Sequence, residues 1–266
     1  MLEYTLELDN SKRYKKEVQS SIDLTNEEYV FGCEFEFYLL DTTKIENLIT
    51  DLYNISNTDL LVNEIGIPST NDSSNCMHLK PDATLEDHGL EISTPICTYT
   101  ELLEYTKQIN DLIKKYGYTN NDTGLHIHIS TVEGNGVNLD FYKFALLSNQ
   151  KDLLDSWSER NCYCKNVMNI IELCSKKNSK VIKNKKDRMN LHKVSNNRIE
   201  IRTIGGDGYH LKVDKILNEL ESFRYIFIDT LREDTAEYIE LKTKHLDTIS
   251  SLGNECKIRF AEFFLS

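Results

Sequence analysis

The chain has 266 residues, a length typical of one large domain, and 39% of them are hydrophobic while 28% are charged. Its formal net charge of -12 argues against a nucleic acid partner, because phosphate binding requires a clustered basic surface. The seven cysteines show no spacing typical of a disulfide framework or of a zinc site. Composition therefore excludes several classes of protein but indicates no activity.

The first residues carry neither a basic start nor an apolar run of signal-peptide length, and no stretch approaches the ~20 apolar residues of a membrane-spanning helix. We therefore expect a cytoplasmic protein without a membrane partner. The sequence contains three prolines and no Gly- or Ser-rich linker, so it gives no sign of a boundary to a second domain. The sequence predicts a polar N-terminal arm, or a peripheral strand, over residues 1–26 and a single domain over residues 27–266.

The first strong element is a strand predicted over residues 29–40, in which glutamates alternate with aromatic residues. This period of two places Glu34 and Glu36 on one face of the strand and two phenylalanines on the other. Apolar residues at helical spacing then predict a helix over residues 43–54.

Two extended stretches on either side of the turn sequence at residues 86–89 predict a β-hairpin. A two-residue loop would place Asp82 directly opposite Glu91, with their Cβ atoms roughly 5 Å apart. A four-residue loop would instead place Glu91 opposite Thr84. The sequence leaves both registers open, so Asp82 is the less secure member of the polar face.

A helix is predicted over residues 99–116, and a strand over residues 123–131 follows it. Alternation in this strand places His126 and His128 on one face, opposite a row of apolar residues. Two imidazoles on one strand face are a recurrent arrangement at metal sites.

The last clear strand is predicted over residues 197–206, with Arg198, Glu200 and Arg202 on one face. The remaining predicted elements are helices over residues 140–148, 165–176 and 211–244, the last with a break near residues 232–234. The clustered strands do not show the regular alternation with helices that a parallel barrel requires.

Every strand predicted to be central carries charged or imidazole groups on one side. The groups on these polar sides are Glu34, Glu36, Asp82, Glu91, His126, His128, Glu200 and Arg202. Carboxylates that converge raise one another's pKa unless cations lie between them. A site rich in oxygen ligands with one or two imidazoles fits magnesium or manganese better than zinc. The sequence therefore predicts a divalent cation site on one face of the sheet.

Each of these patterns has an ordinary structural explanation when it is taken alone. Two glutamates at alternate strand positions usually form a solvated face, and two histidines are as readily a hydrogen-bonded pair. A glutamate and an arginine at alternate positions most often form a surface ion pair. The occurrence of all three patterns on strands favours a functional site.

Four blocks of the sequence resemble the catalytic cores of amidoligases, a family grouped with the glutamine synthetases and glutamate–cysteine ligases. Gly-Cys-Glu-Phe-Glu at residues 32–36 resembles the GxExE opening of these cores, and residues 82–95 are similar to their D-x-S-L…G-x-E-[IL]-x-[ST]-P block. Gly-Leu-His-Ile-His-Ile at residues 124–129 resembles G-x-H-[IV]-H-[IV]. Arg-Ile-Glu-Ile-Arg at residues 198–202 resembles the R-x-E-x-R strand.

The resemblance implies an α+β fold with a curved, mainly antiparallel sheet and with helices on its convex face. The concave face would hold magnesium ions, ATP and a carboxylic acid. The implied activity is that of an ATP-dependent carboxylate–amine ligase, which forms an amide or isopeptide bond through an acyl phosphate. The implied substrates are small-molecule or peptide carboxylates and amines, with a glutamate-like donor.

The resemblance also implies roles for individual residues. The implied metal ligands are Glu34, Glu36, Glu91, His126 and Glu200, with Asp82 as a further candidate, and the implied catalytic residues are Arg202, Glu36 and Glu91. His128 would lie near the ATP phosphates. Arg202 would bind the transferring phosphoryl group, because its planar and permanently charged side chain suits that task. Arg198 lies in the same strand and is also assigned to ATP.

Two rival functions are compatible with the same motifs. A metal-dependent hydrolase is one, because the HxH pattern also occurs in barrel-fold amidohydrolases. A non-catalytic, nucleotide-binding descendant of the ligase fold is the other. Glutamine synthetase itself is disfavoured, because the sequence predicts no separate N-terminal β domain. The residues 156–196 resemble no familiar segment, so the donor, the acceptor, the pathway and the oligomeric state stay open.

Overall fold

The computed structural model describes residues 4–8, 11–15, 28–63, 75–82, 84–85, 89–132, 139–157, 166–169, 189–251 and 253–264. The strands in these ranges are β1 (Tyr4–Leu8), β2 (Ser11–Tyr14), β3 (Tyr29–Leu39), β4 (Leu60–Asn63), β5 (Met77–Pro81), β6 (Gly89–Ser93), β7 (Gly117–Tyr118), β8 (Gly124–Thr131), β9 (Leu191–Ser195) and β10 (Arg198–Gly205). They form one ten-stranded sheet in the order β1-β2-β4-β5-β6-β3-β8-β10-β9, and β7 pairs with β3. Among these pairs only β4 and β5 run parallel.

The helices in the described ranges are α1 (Ile45–Ile55), α2 (Tyr99–Tyr116), α3 (Phe141–Gln150), α4 (Val213–Thr230), α5 (Ala236–Ser251) and α6 (Asn254–Phe264). The predicted helix over residues 99–116 and the predicted break near residues 232–234 are confirmed, since one helix ends at Thr230 and the next begins at Ala236. Of the helix predicted over residues 165–176, the structure describes residues 166–169, which contain a single 3₁₀ turn. No helix in the described part of the chain is both long and apolar enough to cross a bilayer.

An α+β architecture with a mostly antiparallel, open sheet is therefore confirmed. An open sheet of this kind is not the closed parallel barrel on which the barrel-fold hydrolases are built. β1 and β2 pair with each other, and β2 also pairs with β4, so residues within the predicted N-terminal arm extend the sheet at one edge.

Helix α2 forms because its sequence supplies both a start signal and an apolar stripe. Thr98 caps its N-terminus, and the Glu101 side chain accepts a hydrogen bond from the Thr98 backbone N–H in a capping box. Leu102, Ile109 and Ile113 are fully buried along the stripe. The helix therefore packs firmly against the sheet, where the Tyr99 ring lies 5.4 Å from that of Phe31.

The strict alternation of β3 separates an apolar face from a polar face. Phe35 and Phe37 are fully buried on the helical side, and each such ring contributes roughly 2–3 kcal/mol by leaving water. Ile127 and Ile201 occupy the same side of β8 and β10 and are also fully buried. The opposite face is thereby left to the glutamates, histidines and arginines of the same strands.

The hairpin of β5 and β6 differs from both predicted registers. Lys80, and neither Asp82 nor Thr84, lies opposite Glu91, so both predicted pairings are wrong. The reason is a longer connection, which begins where the Asp82 N–H donates to the Gly89 carbonyl. The Asp82 carboxylate accepts from the backbone and hydroxyl of Thr84, a turn that the sequence did not reveal.

Candidate functional site

The polar face is organised as cross-strand rows on the central strands. Glu36 of β3 lies opposite Glu91 of β6, which in turn lies opposite Lys80 of β5. Glu34 lies between Ser93 and His126 in the next row. The third row joins Gly32, His128, Glu200 and His192 across β3, β8, β10 and β9. Residues directly opposite in such rows have their Cβ atoms about 5 Å apart, so these side chains converge.

His126 lies between three carboxylates. Its Nδ1 is 3.1 Å from Glu34 Oε2 and 3.6 Å from Glu200 Oε1, while its Nε2 is 3.2 Å from Glu36 Oε1. Three of these groups, His126, Glu36 and Glu200, are buried. One imidazole thus holds together carboxylates from β3 and β10 that would otherwise repel one another.

His128 lies between an acid and a base. Its Nε2 is 3.1 Å from Glu34 Oε1, and Arg198 donates a hydrogen bond of 3.0 Å to its Nδ1. Because an arginine only donates, Nδ1 accepts this bond and leaves the ring proton on Nε2. Arg198 thereby orients the imidazole, and a cation bound at Nε2 would move that proton to Nδ1 and release the guanidinium from the ring.

The carboxylates of the face have pKa values that are shifted in opposite directions. Burial raises the pKa of Glu34, but the hydrogen bond with His126 and the His128 imidazole 3.1 Å away outweigh burial and hold that pKa well below its usual value. Burial also raises the pKa of Glu200, but the hydrogen bond from Arg202, together with the charges of His126, Arg202 and His128, lowers that pKa below its usual value. Burial, followed by the charge of Glu34, raises the pKa of Glu91. Opposed shifts within one cluster are typical of functional sites.

Cationic side chains lie at the margins of the carboxylate cluster. Arg202 donates to Glu200 Oε1 through its Nε, and it lies next to the irregularity of β10 between residues 201 and 204. Lys80 Nζ is 3.1 Å from Glu91 Oε1, which also accepts a 2.7 Å hydrogen bond from the Ser93 hydroxyl. Each of these cations neutralises a carboxylate of the face.

A divalent cation would find a suitable donor set on this face. Glu34, His128 and Glu200 each offer a ligand atom, and these atoms all lie within 4.8 Å of one another. Two carboxylates and one imidazole, with more carboxylates beside them, form the oxygen-rich set that suits magnesium or manganese. The residues therefore fit the predicted cation chemistry.

A cavity of about 130 Å³ opens beside this cluster. Gly32, Glu34, His128, Ser130 and Arg198 are among the residues that line it. Gly32 leaves room here, because a Cβ built on it would contact only Thr94 Oγ1 at 3.9 Å. A ligand in the cavity would thus touch both the cation ligands and the Arg198 guanidinium.

The structure brings together most of the residues singled out by the sequence. Glu34, Glu36, Glu91, His126, His128, Arg198, Glu200 and Arg202 share one face of the sheet. Asp82 takes part in the turn with Thr84, and its role as a ligand stays a prediction.

Two residues of the face had not been singled out from the sequence. Lys80 lies opposite Glu91, and His192 Nδ1 lies 4.0 Å from Glu200 Oε2. Lys80 could have been found, because it alternates with His78 in a stretch predicted to be extended. The Lys-rich sequence before β9 gave no comparable signal for His192.

Part of the chain matches a known protein family. A family model described as "Putative amidoligase enzyme" matches residues 27–203. No curated protein matches the chain. The matched range begins just before β3 and extends through Arg202, so it includes every residue of the polar face described above.

Proposed function

Because the chain belongs to the amidoligase family, we propose that it is an ATP-dependent carboxylate–amine ligase that forms an amide or isopeptide bond through an acyl phosphate. The proposed substrates are small molecules or peptides, with a glutamate-like carboxylate as donor. The observation that carries the proposal is the cluster of Glu34, His128 and Glu200 beside two arginines. Phosphoryl transfer requires this combination of cation ligands and fixed positive charge.

Magnesium, or manganese in its place, is the proposed cofactor. The proposed ligands are Glu34, Glu36, Glu91, His126, His128 and Glu200. A bound cation would neutralise phosphate charge and orient the γ-phosphoryl group for attack. Glu34 suits the ligand role best, because its depressed pKa keeps it ionised and its two imidazole contacts fix its position.

The cavity beside the cluster is the proposed nucleotide site. Arg198 reaches it from β10, and its guanidinium suits a phosphate oxygen. Because Arg198 lies against His128, a cation bound at His128 Nε2 would release the Arg198 guanidinium for a phosphate oxygen close to Glu34 and Glu200. The sequence resemblance also assigned Arg198 and His128 to ATP.

The proposed reaction has two steps. A carboxylate oxygen of the donor attacks the γ-phosphorus of ATP, the bond from that phosphorus to the bridging oxygen breaks, and ADP leaves. The amine nitrogen then attacks the acyl carbon, the bond from that carbon to the phosphate oxygen breaks, inorganic phosphate leaves, and the nitrogen loses a proton to water. Arg202, held by Glu200, is the proposed stabiliser of the equatorial oxygens in the first step.

We further propose a cytoplasmic location and no nucleic acid partner. Cys33 and Cys97 are buried, and burial raises the pKa of both thiols, which keeps them unreactive. Reduced buried thiols suit the reducing cytoplasm. The net charge of -12 disfavours binding to a polyphosphate backbone.

The test is ADP release by the purified protein in the presence of magnesium and ATP, with panels of amino acids and amines. We expect ADP release that requires both a carboxylate and an amine, together with thermal stabilisation by Mg-ATP but not by zinc. Arg202→Gln should abolish release, whereas the control Arg232→Gln should not, because Arg232 is exposed and pairs only loosely with Asp229. Stabilisation by zinc alone, without ADP release, would instead favour a hydrolase.

A further inference from the structure

Lys80 is the charged residue of the polar face that the proposed nucleotide chemistry does not use. It lies in the row with Glu91 and Glu36, and its side chain is 21% exposed. Its Nζ contacts Glu91 Oε1 at 3.1 Å, and Ser93 donates to the same oxygen. A partly buried lysine thus places its ammonium group beside a carboxylate proposed to bind a cation.

This position has an electrostatic cost. An ammonium group about 3 Å from a ligand oxygen repels any divalent cation that approaches the same carboxylate. Enclosing the lysine also removes part of its hydration, which is unfavourable unless an anion pairs with it. Lys80 would therefore weaken a site that binds cations alone. It would instead stabilise a site in which an anion binds together with the metal.

Position along the strands separates Lys80 from the Arg198 end of the proposed nucleotide site, although the cavity reaches β5 at His78. Arg198 lies in the cross-strand row that contains residue 30 of β3. Lys80 lies in the row that contains residue 36 of β3, so the two rows are six positions apart (36 − 30) along that strand. The polyphosphate is therefore matched to Arg198, across the carboxylate cluster from Lys80. Of the anions in the proposed reaction, only the acyl donor's carboxylate is left for the Lys80 side.

We propose that Lys80 binds the reacting carboxylate of the acyl donor, and that a divalent cation at Glu91 releases Lys80 for this role. The inference rests on the proposed ligase function for the identity of the donor. In the free protein Lys80 and Glu91 neutralise each other. With a cation bound at Glu91, the ammonium turns to the incoming carboxylate and holds one of its oxygens while the other attacks the nucleotide.

The first measurement follows the reactivity of the Lys80 amine in the unaltered protein, without nucleotide. The protein is labelled briefly with sulfo-N-hydroxysuccinimide acetate, and acetylation at each lysine is quantified by mass spectrometry. We expect magnesium to raise labelling of Lys80 several-fold and added formate, compared with chloride at equal ionic strength, to reverse that rise. Lys115, which pairs with Asp51 between α1 and α2, is the internal control.

The second measurement is manganese affinity, by calorimetry, for Lys80→Met, Lys80→Arg and the control Lys115→Met. Removing the ammonium should tighten manganese binding about tenfold in Lys80→Met, because the repulsion at Glu91 is lost. Lys80→Arg and Lys115→Met should bind manganese as the unaltered protein does. The proposal would be overturned if neither magnesium nor formate changed the labelling of Lys80, or if Lys80→Met bound manganese more weakly than the unaltered protein.

Turnover separates this inference from the proposed function itself. In an active ligase, Lys80→Met should raise KM for the carboxylate about tenfold and leave KM for ATP unchanged. An equal rise in both constants would assign Lys80 a structural role. Absence of ADP release from the unaltered protein would refute the ligase proposal, while the labelling and manganese results would still decide whether Lys80 is a metal-released carboxylate site.

Discussion

Replacing Gly117 by alanine should destabilise the fold beside the site. β7 approaches β3 so closely that a Cβ on Gly117 would lie 2.5 Å from the Tyr38 carbonyl oxygen and 2.7 Å from Phe37 Cδ2. The oxygen belongs to the backbone of a central strand, and Phe37 is fully buried, so neither can easily move. Overpacking of this kind costs typically 1–3 kcal/mol, and we expect about 3 kcal/mol here.

The effect should be measured by urea unfolding, followed by circular dichroism, with Gly32→Ala as the matched control. A Cβ on Gly32 would meet only Thr94 Oγ1 at 3.9 Å, so that change should stay within about 0.5 kcal/mol. Gly117→Ala should also lower the melting temperature by roughly 5–10 °C. Equal stabilities for the two variants would show that the close approach of β7 to β3 does not constrain the fold as argued.

Three further predictions concern other features of the structure. Glu200→Gln should weaken manganese binding about 100-fold, or about 3 kcal/mol, as measured by calorimetry, and an unchanged affinity would remove Glu200 from the ligand set. Thr98→Ala should cost about 1 kcal/mol in urea unfolding, because the capping box of α2 is lost. Burial raises the pKa of the Glu219 carboxyl in the folded protein above its value in the unfolded chain. The protonated carboxyl therefore contributes fully to the free energy of unfolding below the unfolded-state pKa of Glu219, and this contribution is lost as pH rises through the folded-state pKa. Glu219→Gln should therefore be more stable than the unaltered protein at neutral pH, with the two converging in acid, because glutamine still accepts from Trp157; parallel stability curves would contradict this.

The strands of the site were predictable because their signals are local. Alternation in β3, β8 and β10 depends only on which side chains face the helices, and a period of two fixes this within each strand. Placing Glu34, His126 and Glu200 on the same side of three strands then required only that those strands share a sheet. The structure confirms that they do.

Other features were not predictable because they depend on contacts between distant segments. β4 is buried at every position and shows no alternation, so its sequence resembles any short apolar run. The register of β5 on β6 depends on the length of the connection after Asp82, which the turn residues alone did not fix. Lys80 therefore occupies the position opposite Glu91 that had been assigned to Asp82 or Thr84.

The most direct test of the whole account is anomalous diffraction from crystals of the protein soaked with manganese and ATP. We predict manganese about 2.2 Å from carboxylate oxygens of Glu34 and Glu200 and bound to an imidazole of the same face, with the ATP phosphates on the Arg198 side. Manganese elsewhere on the protein, or nucleotide bound away from this face, would contradict it.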